Sequence, residues 1–97
     1  MPGYIIAELE ITDPAGFEEY RKQVSATIQK YGGRYVVRGG ATQTLEGDWQ
    51  PGRLVVTEFS SVEQARRWYD SDEYRGPKAL RIKTTRSRVV LAEGVSS

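Results

Sequence analysis

Hydrophobic and polar residues follow two distinct periods along the chain, and each period predicts one kind of element. Four segments are predicted to be strands, and the first alternates apolar and polar residues with a period of two, which is typical of a strand with one buried face. They cover residues 4–11, 34–38, 53–59 and 86–93, and residues 41–46 are interpreted as a continuation of the second strand. Two longer segments repeat apolar residues at three- and four-residue spacing, which is typical of amphipathic helices.

The first predicted helix begins after Asp13 and Pro14, which supply a capping carboxylate and a suitable residue for the first turn. The helix is expected to stop at Gly32-Gly33. Its apolar stripe consists of Phe17, Tyr20, Val24, Ile28 and Tyr31. The regular spacing predicts a helix that packs this stripe onto the sheet.

The second predicted helix begins at a capping box in which Ser60 caps and Glu63 follows three residues later. Its apolar stripe, with Trp68 beside it, consists of Val62, Ala65 and Tyr69. A turn is expected at residues 71–74, and a further short helix is expected at residues 77–84.

The predicted order of strands and helices is that of a ferredoxin-like βαββαβ domain. It predicts an α+β fold over residues 1–97, with a four-stranded antiparallel sheet and both main helices on one face. Residues 94–97 are expected to form a loose tail. Nothing in the pattern suggests repeats, linkers or a second domain.

The sheet face opposite the helices is predicted to remain uncovered within one chain. By period-two alternation, which a bulge would shift, this face is expected to carry part of the set Tyr4, Ile6, Glu8, Glu10, Arg34, Val36, Arg38, Glu58 and Arg88. A second sheet packed face to face would cover its apolar members, so a homodimer is favoured. The alternative is a monomer with a partly polar, solvated face, which antiparallel sheets tolerate.

Composition removes several classes of chemistry. The 97 residues include 14 Lys and Arg, 13 Asp and Glu, and neither His nor Cys. A disulfide framework, a thiolate nucleophile, a Ser-His-Asp triad and a His-ligated haem are therefore excluded. Proton transfer would have to use Asp, Glu, Tyr, Lys or water. Without a membrane-length apolar run or a basic leader, a soluble cytoplasmic protein that does not bind membranes is expected.

Charge is uneven toward the end of the chain. No acid interrupts the basic run formed by Arg75, Lys78, Arg81, Lys83, Arg86 and Arg88. A solvated face is the favoured interpretation, and an anion-binding surface is the alternative. RNA binding is disfavoured, because the third strand carries only one aromatic residue, Phe59, beside the acid Glu58.

Six short motifs, in this order along the chain, resemble those of a small bacterial family, domain of unknown function 1330. They are Arg38-Gly39-Gly40, Glu46-Gly47, Glu58-Phe59, Trp68-Tyr69, Glu73-Tyr74 and Glu93-Gly94. The resemblance implies the dimeric α+β barrel superfamily. Relatives there include cofactor-independent monooxygenases, muconolactone isomerases, polyketide cyclases, haem-degrading enzymes and chlorite dismutase-like proteins. Without histidine, the haem-dependent activities are disfavoured here.

Three charged residues are the candidate catalytic groups. Arg38 could bind a carboxylate or an enolate bidentately, although an ion pair with Glu8, Glu10 or Glu58 is an alternative role. Glu58 lies in an apolar strand, where burial would raise its pKa and suit proton transfer; the alternative is a salt bridge to Arg38 or Arg88. Glu46 is a weaker second candidate.

Four further residues are candidates for substrate binding. Trp68 and Tyr74 are expected to line a pocket as aromatic walls, whereas Tyr69 is expected in the core. Gly39 could let a ligand approach the backbone, although a bulge or bend at Gly39-Gly40 is favoured. Trp49 is interpreted as a lid, a dimer contact or a surface residue.

Together these features predict a homodimer that binds a small molecule. It could be an isomerase, cyclase or monooxygenase that acts on an acidic or aromatic substrate, or a non-catalytic ligand-binding or stress-associated dimer. No cofactor or metal is expected, because glycine-rich phosphate motifs are absent and the carboxylates are scattered.

Overall fold

The computed structural model describes residues 1–96 and arranges them as four strands and three helices. In chain order these are β1 (Gly3–Ile11), α1 (Pro14–Lys30), β2 (Arg34–Arg38), β3 (Arg53–Phe59), α2 (Val62–Tyr69), α3 (Asp72–Thr84) and β4 (Thr85–Glu93). The strands form one antiparallel sheet in the order β2-β3-β1-β4. The predicted ferredoxin-like α+β fold is confirmed. Of the expected tail, Gly94–Ser96 has no regular structure, and Ser97 lies outside the described residues.

The core lies between the sheet and the helices. Alternate residues of β1 point into it, and α1 adds the apolar stripe that the sequence predicts. Its buried apolar members are Ile5, Ala7, Leu9, Phe17, Tyr20, Val24, Ile28, Phe59, Ala65, Trp68 and Tyr74. Five of these eleven are aromatic, so a few large rings fill much of the interior of a short chain.

Helix α1 begins and ends as predicted, because the capping chemistry is local. The Asp13 carboxylate accepts a hydrogen bond of 3.2 Å from the amide of Gly16. After the helix, Gly32 adopts the left-handed conformation with a φ of 77°, which lets the chain reverse into β2.

The start of α2 is one residue later than predicted. Ser61, not Ser60, caps the helix by accepting a 3.0 Å hydrogen bond from the amide of Gln64. Trp68 and Tyr69 lie about 100° apart around this helix. Trp68 faces the core with Ala65, and Tyr69 is half-buried.

Helix α3 is five residues longer at its start than predicted. Ser71 caps it, the helix begins at Asp72, and Pro77 lies inside it. The predicted start at Pro77 was wrong because proline usually lies in the first turn of a helix. Here Pro77 is the sixth residue of α3, where its missing N–H costs one internal hydrogen bond. Tyr74 consequently belongs to a helix and not to a turn.

Strand β2 is shorter and more irregular than predicted. Residues 41–46 do not extend it, since Gly39 turns the chain with a φ of 72°. The bulge lies at Val36 and not at Gly39-Gly40, because the pairing with β3 shifts between Tyr35 and Val37. A bulge reverses the alternation of all later residues in the strand.

Glu73 ties α3 to the end of α1. Its carboxylate accepts hydrogen bonds from the Lys30 amino group and, at 2.8 Å, from the Tyr31 hydroxyl. Lys30, then a backbone hydrogen bond and Tyr31, lower the pKa of Glu73 from 4.5 to about 2. Deprotonated Glu73 therefore favours the folded chain.

The depressed pKa of Glu73 predicts acid sensitivity. Its stabilisation is complete above the unfolded pKa of 4.5 and is lost as the pH falls through about 2. We expect Glu73→Gln to reduce the loss of unfolding free energy between about pH 5 and about pH 2. Urea unfolding across this range tests it, with Glu63→Gln as a control on an exposed carboxylate of α2. Identical acid sensitivity in wild type and Glu73→Gln would contradict the assignment.

Candidate functional site

A small cavity lies between the helices and the helix-facing side of the sheet. Its volume is about 50 Å³. Six aromatic side chains contribute to its lining: Phe17, Tyr20, Tyr35, Trp68, Tyr69 and Tyr74. Four arginines also contribute to the lining: Arg21, Arg38, Arg53 and Arg81. Of these, Arg21 is paired with Glu18 at 2.8 Å. This combination of flat apolar walls and cations suits a small organic anion.

The aromatic wall is a stack centred on Trp68. The Trp68 ring lies 4.1 Å from the Tyr74 ring and 5.5 Å from the Phe59 ring, centroid to centroid. Its indole nitrogen donates a 3.0 Å hydrogen bond to the Thr27 hydroxyl of α1. Trp68 and Tyr74 line the cavity and are buried, whereas Tyr69 is less buried than either. Tyr69, expected in the core, packs against it while only half-buried, because α2 turns its Ala65 and Trp68 side inward.

A chain of hydrogen bonds crosses the cavity wall near β4. The hydroxyl groups of Tyr20 and Tyr74 lie 3.2 Å apart. Arg81 donates from Nε to the Tyr74 hydroxyl at 3.2 Å and from Nη1 to the Ser87 hydroxyl at 2.6 Å. The Arg81 side chain is buried, with 5% of its surface exposed.

Arg81 and Tyr20 are site residues that sequence reasoning missed. Arg81 was placed in a solvated basic run, yet Tyr74, Pro77, Arg81 and Thr84 are the buried residues of α3. Their spacing of three, four and three is a helical stripe, visible in the sequence once the helix is started at Asp72. The predicted turn at residues 71–74 hid this stripe.

Other members of the basic run have acidic or aromatic partners. Arg75 pairs with Asp72, Arg86 with Glu10, and Arg88 with Glu8. The Lys78 ammonium lies 4.3 Å from the centre of the Tyr69 ring. The run therefore divides among separate partners and does not form one basic surface.

Arg38 lies on the helix-facing side of the sheet, and its predicted placement on the open face was wrong. The bulge at Val36 pairs Arg38 with Val55, whose side chain lies on the cavity side. The Arg38 guanidinium is 4.3 Å from the Tyr35 ring centre and donates to the Ser25 hydroxyl at 3.1 Å. It does not form the anticipated pair with Glu8, Glu10 or Glu58.

Gly39 makes room for a second arginine at the same edge. A side-chain carbon at Gly39 would lie 2.4 Å from the guanidinium carbon of Arg53. The Arg53 guanidinium in turn lies 5.8 Å from the Phe17 ring centre. Gly39 therefore allows a close approach to the backbone, as predicted, but the group that approaches is the Arg53 side chain and not a ligand.

Glu58 lies on the open face, away from the cavity. Its carboxylate accepts hydrogen bonds from the Tyr4 hydroxyl at 2.7 Å and from Arg34 Nε at 2.8 Å. The Tyr4 hydrogen bond and then Arg34 lower the pKa of Glu58, so the expected rise was wrong. A salt bridge is present, but its partner is Arg34. A role for Glu58 in proton transfer stays a prediction.

Trp49 and Glu46 lie in the irregular segment that joins β2 to β3. The Trp49 indole donates a 3.0 Å hydrogen bond to Glu8, and the Gly52 amide donates to the same carboxylate oxygen at 3.2 Å. Arg88 first, and then Trp49, lower the pKa of Glu8. Neither Trp49 nor the exposed Glu46 lines the cavity.

The open face carries an apolar row that crosses all four strands. Strand pairing places four apolar residues side by side. In the order of the strands they are Val37, Val56, Ile6 and Val90. Charged pairs flank this apolar row, with Arg34 and Glu58 on one side and Glu8 and Arg88 on the other. The predicted members of this face lie on it, with two exceptions. Arg38 lies on the other side of the sheet, and Val36 lies in the bulge.

Within residues 1–96, no three side chains of the His, Cys, Asp or Glu type come together as a metal site. No helix in the same range is both long and apolar enough to cross a bilayer.

Comparison with known proteins gives a family and a fold. A family model described as domain of unknown function DUF1330 matches residues 2–95, and no curated protein matches the chain. A protein of unknown function from Rhodopseudomonas palustris is 15% identical, with a TM-score of 0.76 over 99% of this chain and 84% of that chain. SnoaB, a cofactor-independent oxygenase from Streptomyces nogalater, is 13% identical, with a TM-score of 0.62 over 99% of this chain and 95% of SnoaB. Rv0793 from Mycobacterium tuberculosis is 18% identical, with a TM-score of 0.58 over 100% of this chain and 98% of Rv0793. At these identities the likeness shows the fold.

Proposed function

Since this chain belongs to the DUF1330 family, whose description assigns no function, we propose a function from its geometry: it is a homodimer in which each protomer binds a small organic anion. The binding site is the cavity between the helices and the sheet. The observation that carries the proposal is the lining itself, which joins six aromatic residues to four arginines. One of the four, Arg81, is buried, and protein cores usually avoid a cation that has no acidic partner.

The mouth of the cavity supports binding of an anion. Arg38 on β2 and Arg53 on β3 line the cavity. The Arg38 guanidinium contacts the Tyr35 ring and the Ser25 hydroxyl, and that of Arg53 lies near the Phe17 ring. Within residues 1–96, neither guanidinium lies within 4 Å of a carboxylate, so both can engage an incoming one. Trp68 and Tyr74 would then form the flat wall against which the ligand packs.

The size of the cavity limits what enters without rearrangement. A volume of about 50 Å³ exceeds the roughly 10–15 Å³ that one water molecule requires, but is well below the roughly 150 Å³ of a cavity that holds benzene. A compact acid fits the enclosed space. An aromatic acid would have to extend through the mouth or displace α1.

The open face supports a homodimer. Its apolar row would be desolvated by a second copy of the same face, and the flanking charged pairs carry both signs, so opposite charges can meet across a two-fold axis. Trp49 lies beside this face through its hydrogen bond to Glu8, which favours its interpretation as a dimer contact over a lid on the cavity.

A reaction of the bound molecule without a cofactor is the second candidate function. The observation that favours it is the shared fold with SnoaB, which is a cofactor-independent oxygenase. In this chain five hydroxyl-bearing residues line the cavity, Tyr20, Tyr35, Thr57, Tyr69 and Tyr74, whereas Glu58 and Glu46 lie outside its lining. Consumption of oxygen or of the ligand, measured on any molecule that binds, separates catalysis from binding alone.

Fluorescence of Trp68 provides the test of binding. The chain has two tryptophans, so Trp49→Phe leaves Trp68 as the only indole, stacked on Tyr74 at the cavity. We expect small organic acids from a metabolite library to change its emission and to raise the melting temperature. The matched control is Ala7→Val, which adds two methyl groups to the cavity floor.

If ligands bind in the cavity, Ala7→Val should remain folded and should weaken both the change in Trp68 emission and the rise in melting temperature. Unchanged emission of Trp68 with every acid in the library, or equal binding by Ala7→Val, would contradict the proposed site.

A further inference from the structure

Arg81 is a buried cation without an acidic partner. It is 5% exposed, and within residues 1–96 no carboxylate lies within 4 Å of its guanidinium. Its hydrogen bonds go to the hydroxyl groups of Tyr74 and Ser87. A buried charge is costly unless it is both hydrogen-bonded and paired. This site provides the hydrogen bonds and lacks the counter-charge.

The neighbouring tyrosines do not supply that charge. Burial, followed by interaction with Tyr74, raises the pKa of Tyr20, and burial raises the pKa of Tyr74. Both phenols therefore stay protonated near neutral pH. Burial lowers the pKa of Arg81 and the two phenols raise it, with a net rise, so the guanidinium stays charged. The inner end of the cavity is consequently cationic.

The guanidinium has donors left for a ligand. Arg side chains carry five N–H groups, and the two contacts within the chain use Nε and Nη1. Arg81 also lines the cavity, together with both tyrosine rings. A carboxylate beside it would accept from the guanidinium, and the tyrosine hydroxyls are within reach of the same end of the cavity.

We propose that Arg81 anchors the carboxylate group of the ligand at the inner, β4 side of the cavity, with Tyr20 and Tyr74 as neutral hydroxyl partners. This inference rests on the proposed function, because it requires a ligand in that cavity. It also names the ligand class as small monocarboxylic acids with an apolar body. The body lies along the Trp68–Tyr74 stack and points toward the mouth at Arg38 and Arg53.

Arg81 and Arg38 approach the cavity from different sides. Arg81 bonds to β4 and Arg38 lies on β2, and these are the two edge strands of the sheet. An acid held at Arg81 would therefore direct any further substituent toward Arg38 and Arg53.

The test compares a carboxylic acid with its neutral amide. Propionate and propionamide, added at constant ionic strength to the Trp49→Phe chain, differ in charge and hardly in size. We expect propionate to change the Trp68 emission and raise the melting temperature, and propionamide to bind at least tenfold more weakly, because hydrogen bonds to charged groups are the stronger ones.

Arg81→Met removes the charge and keeps an apolar side chain of similar length. We expect this variant to lose at least tenfold in propionate affinity while its weak response to propionamide is retained. Arg67→Met, which removes an exposed arginine of α2, is the matched control and should bind propionate like wild type. If Arg81→Met does not fold, Arg81→Lys replaces it in the test. Lysine keeps the charge without the planar fork of the guanidinium, so this variant should bind propionate with an affinity below that of wild type.

The outcomes separate this inference from the proposed function. Equal affinity for propionate and propionamide, or full propionate affinity in Arg81→Met, would overturn the role of Arg81 while leaving the cavity as a binding site. If propionate fails but other molecules of the library bind in a manner sensitive to Ala7→Val, the ligand class is wrong and the site stands. If nothing binds, both proposals fail.

Discussion

Replacing Trp68 by alanine is expected to lower the free energy of unfolding by about 3–5 kcal/mol, the range measured for large aromatic side chains in cores. Trp68 is 3% exposed and stacks on both Tyr74 and Phe59. It also bonds to Thr27 of α1, so one side chain joins α1, α2, α3 and the sheet. Because small domains have only about 5–15 kcal/mol of stability, this change would leave the fold marginal.

Urea unfolding at one chain concentration measures this effect. Trp49→Ala is the matched control, since Trp49 is 56% exposed and its side chain makes one hydrogen bond, to Glu8. We expect it to cost about 1 kcal/mol or less. Similar losses in the two variants would mean that the Trp68 stack is not the centre of the core. A fixed concentration is needed because the stability of a dimer depends on it.

Replacing Val90 by glutamate is expected to break the proposed homodimer. Val90 ends the apolar row on β4, and its partner across the sheet is Ile6. A carboxylate there would have to be desolvated between two sheets without a partner. We expect the dimer dissociation constant to rise by about 100-fold or more, equivalent to roughly 3 kcal/mol.

Sedimentation equilibrium at micromolar concentration measures the change. Ile82→Glu is the control, because Ile82 on α3 is 60% exposed and Val90 is 58% exposed, so the two substitutions differ in face and hardly in exposure. Wild type that sediments only at the 10.9 kDa mass of one chain would rule the dimer out. Equal dissociation by both variants would place the contact elsewhere.

The sequence is sufficient for the architecture because strand and helix periods are local properties. The stripe of α1, the cap at Asp13 and the alternation of β1 lie where the pattern predicts. The topology followed from the order of these elements, and the six motifs identified the family correctly.

The candidate site was harder to predict because it depends on shifts of single residues. The side of α2 that packs inward holds Trp68, about 100° around the helix from Tyr69, and a bulge at Val36 moves Arg38 to the other side of the sheet. Both local alternatives satisfy the same propensities, and packing selects between them. Arg81 was missed because the helix was predicted to start at Pro77, which hid the stripe of buried residues that α3 presents.

The bulge in β2 places neighbouring residues on the two surfaces of the protomer. Val37 and Arg38 are adjacent in the chain, yet the first pairs with Val56 on the open face and the second with Val55 on the cavity side. In the proposed dimer, a ligand that shifts the β2 backbone through Arg38 would also shift Val37. Ligand affinity and dimer affinity would then be linked reciprocally, each changing the other by the same factor.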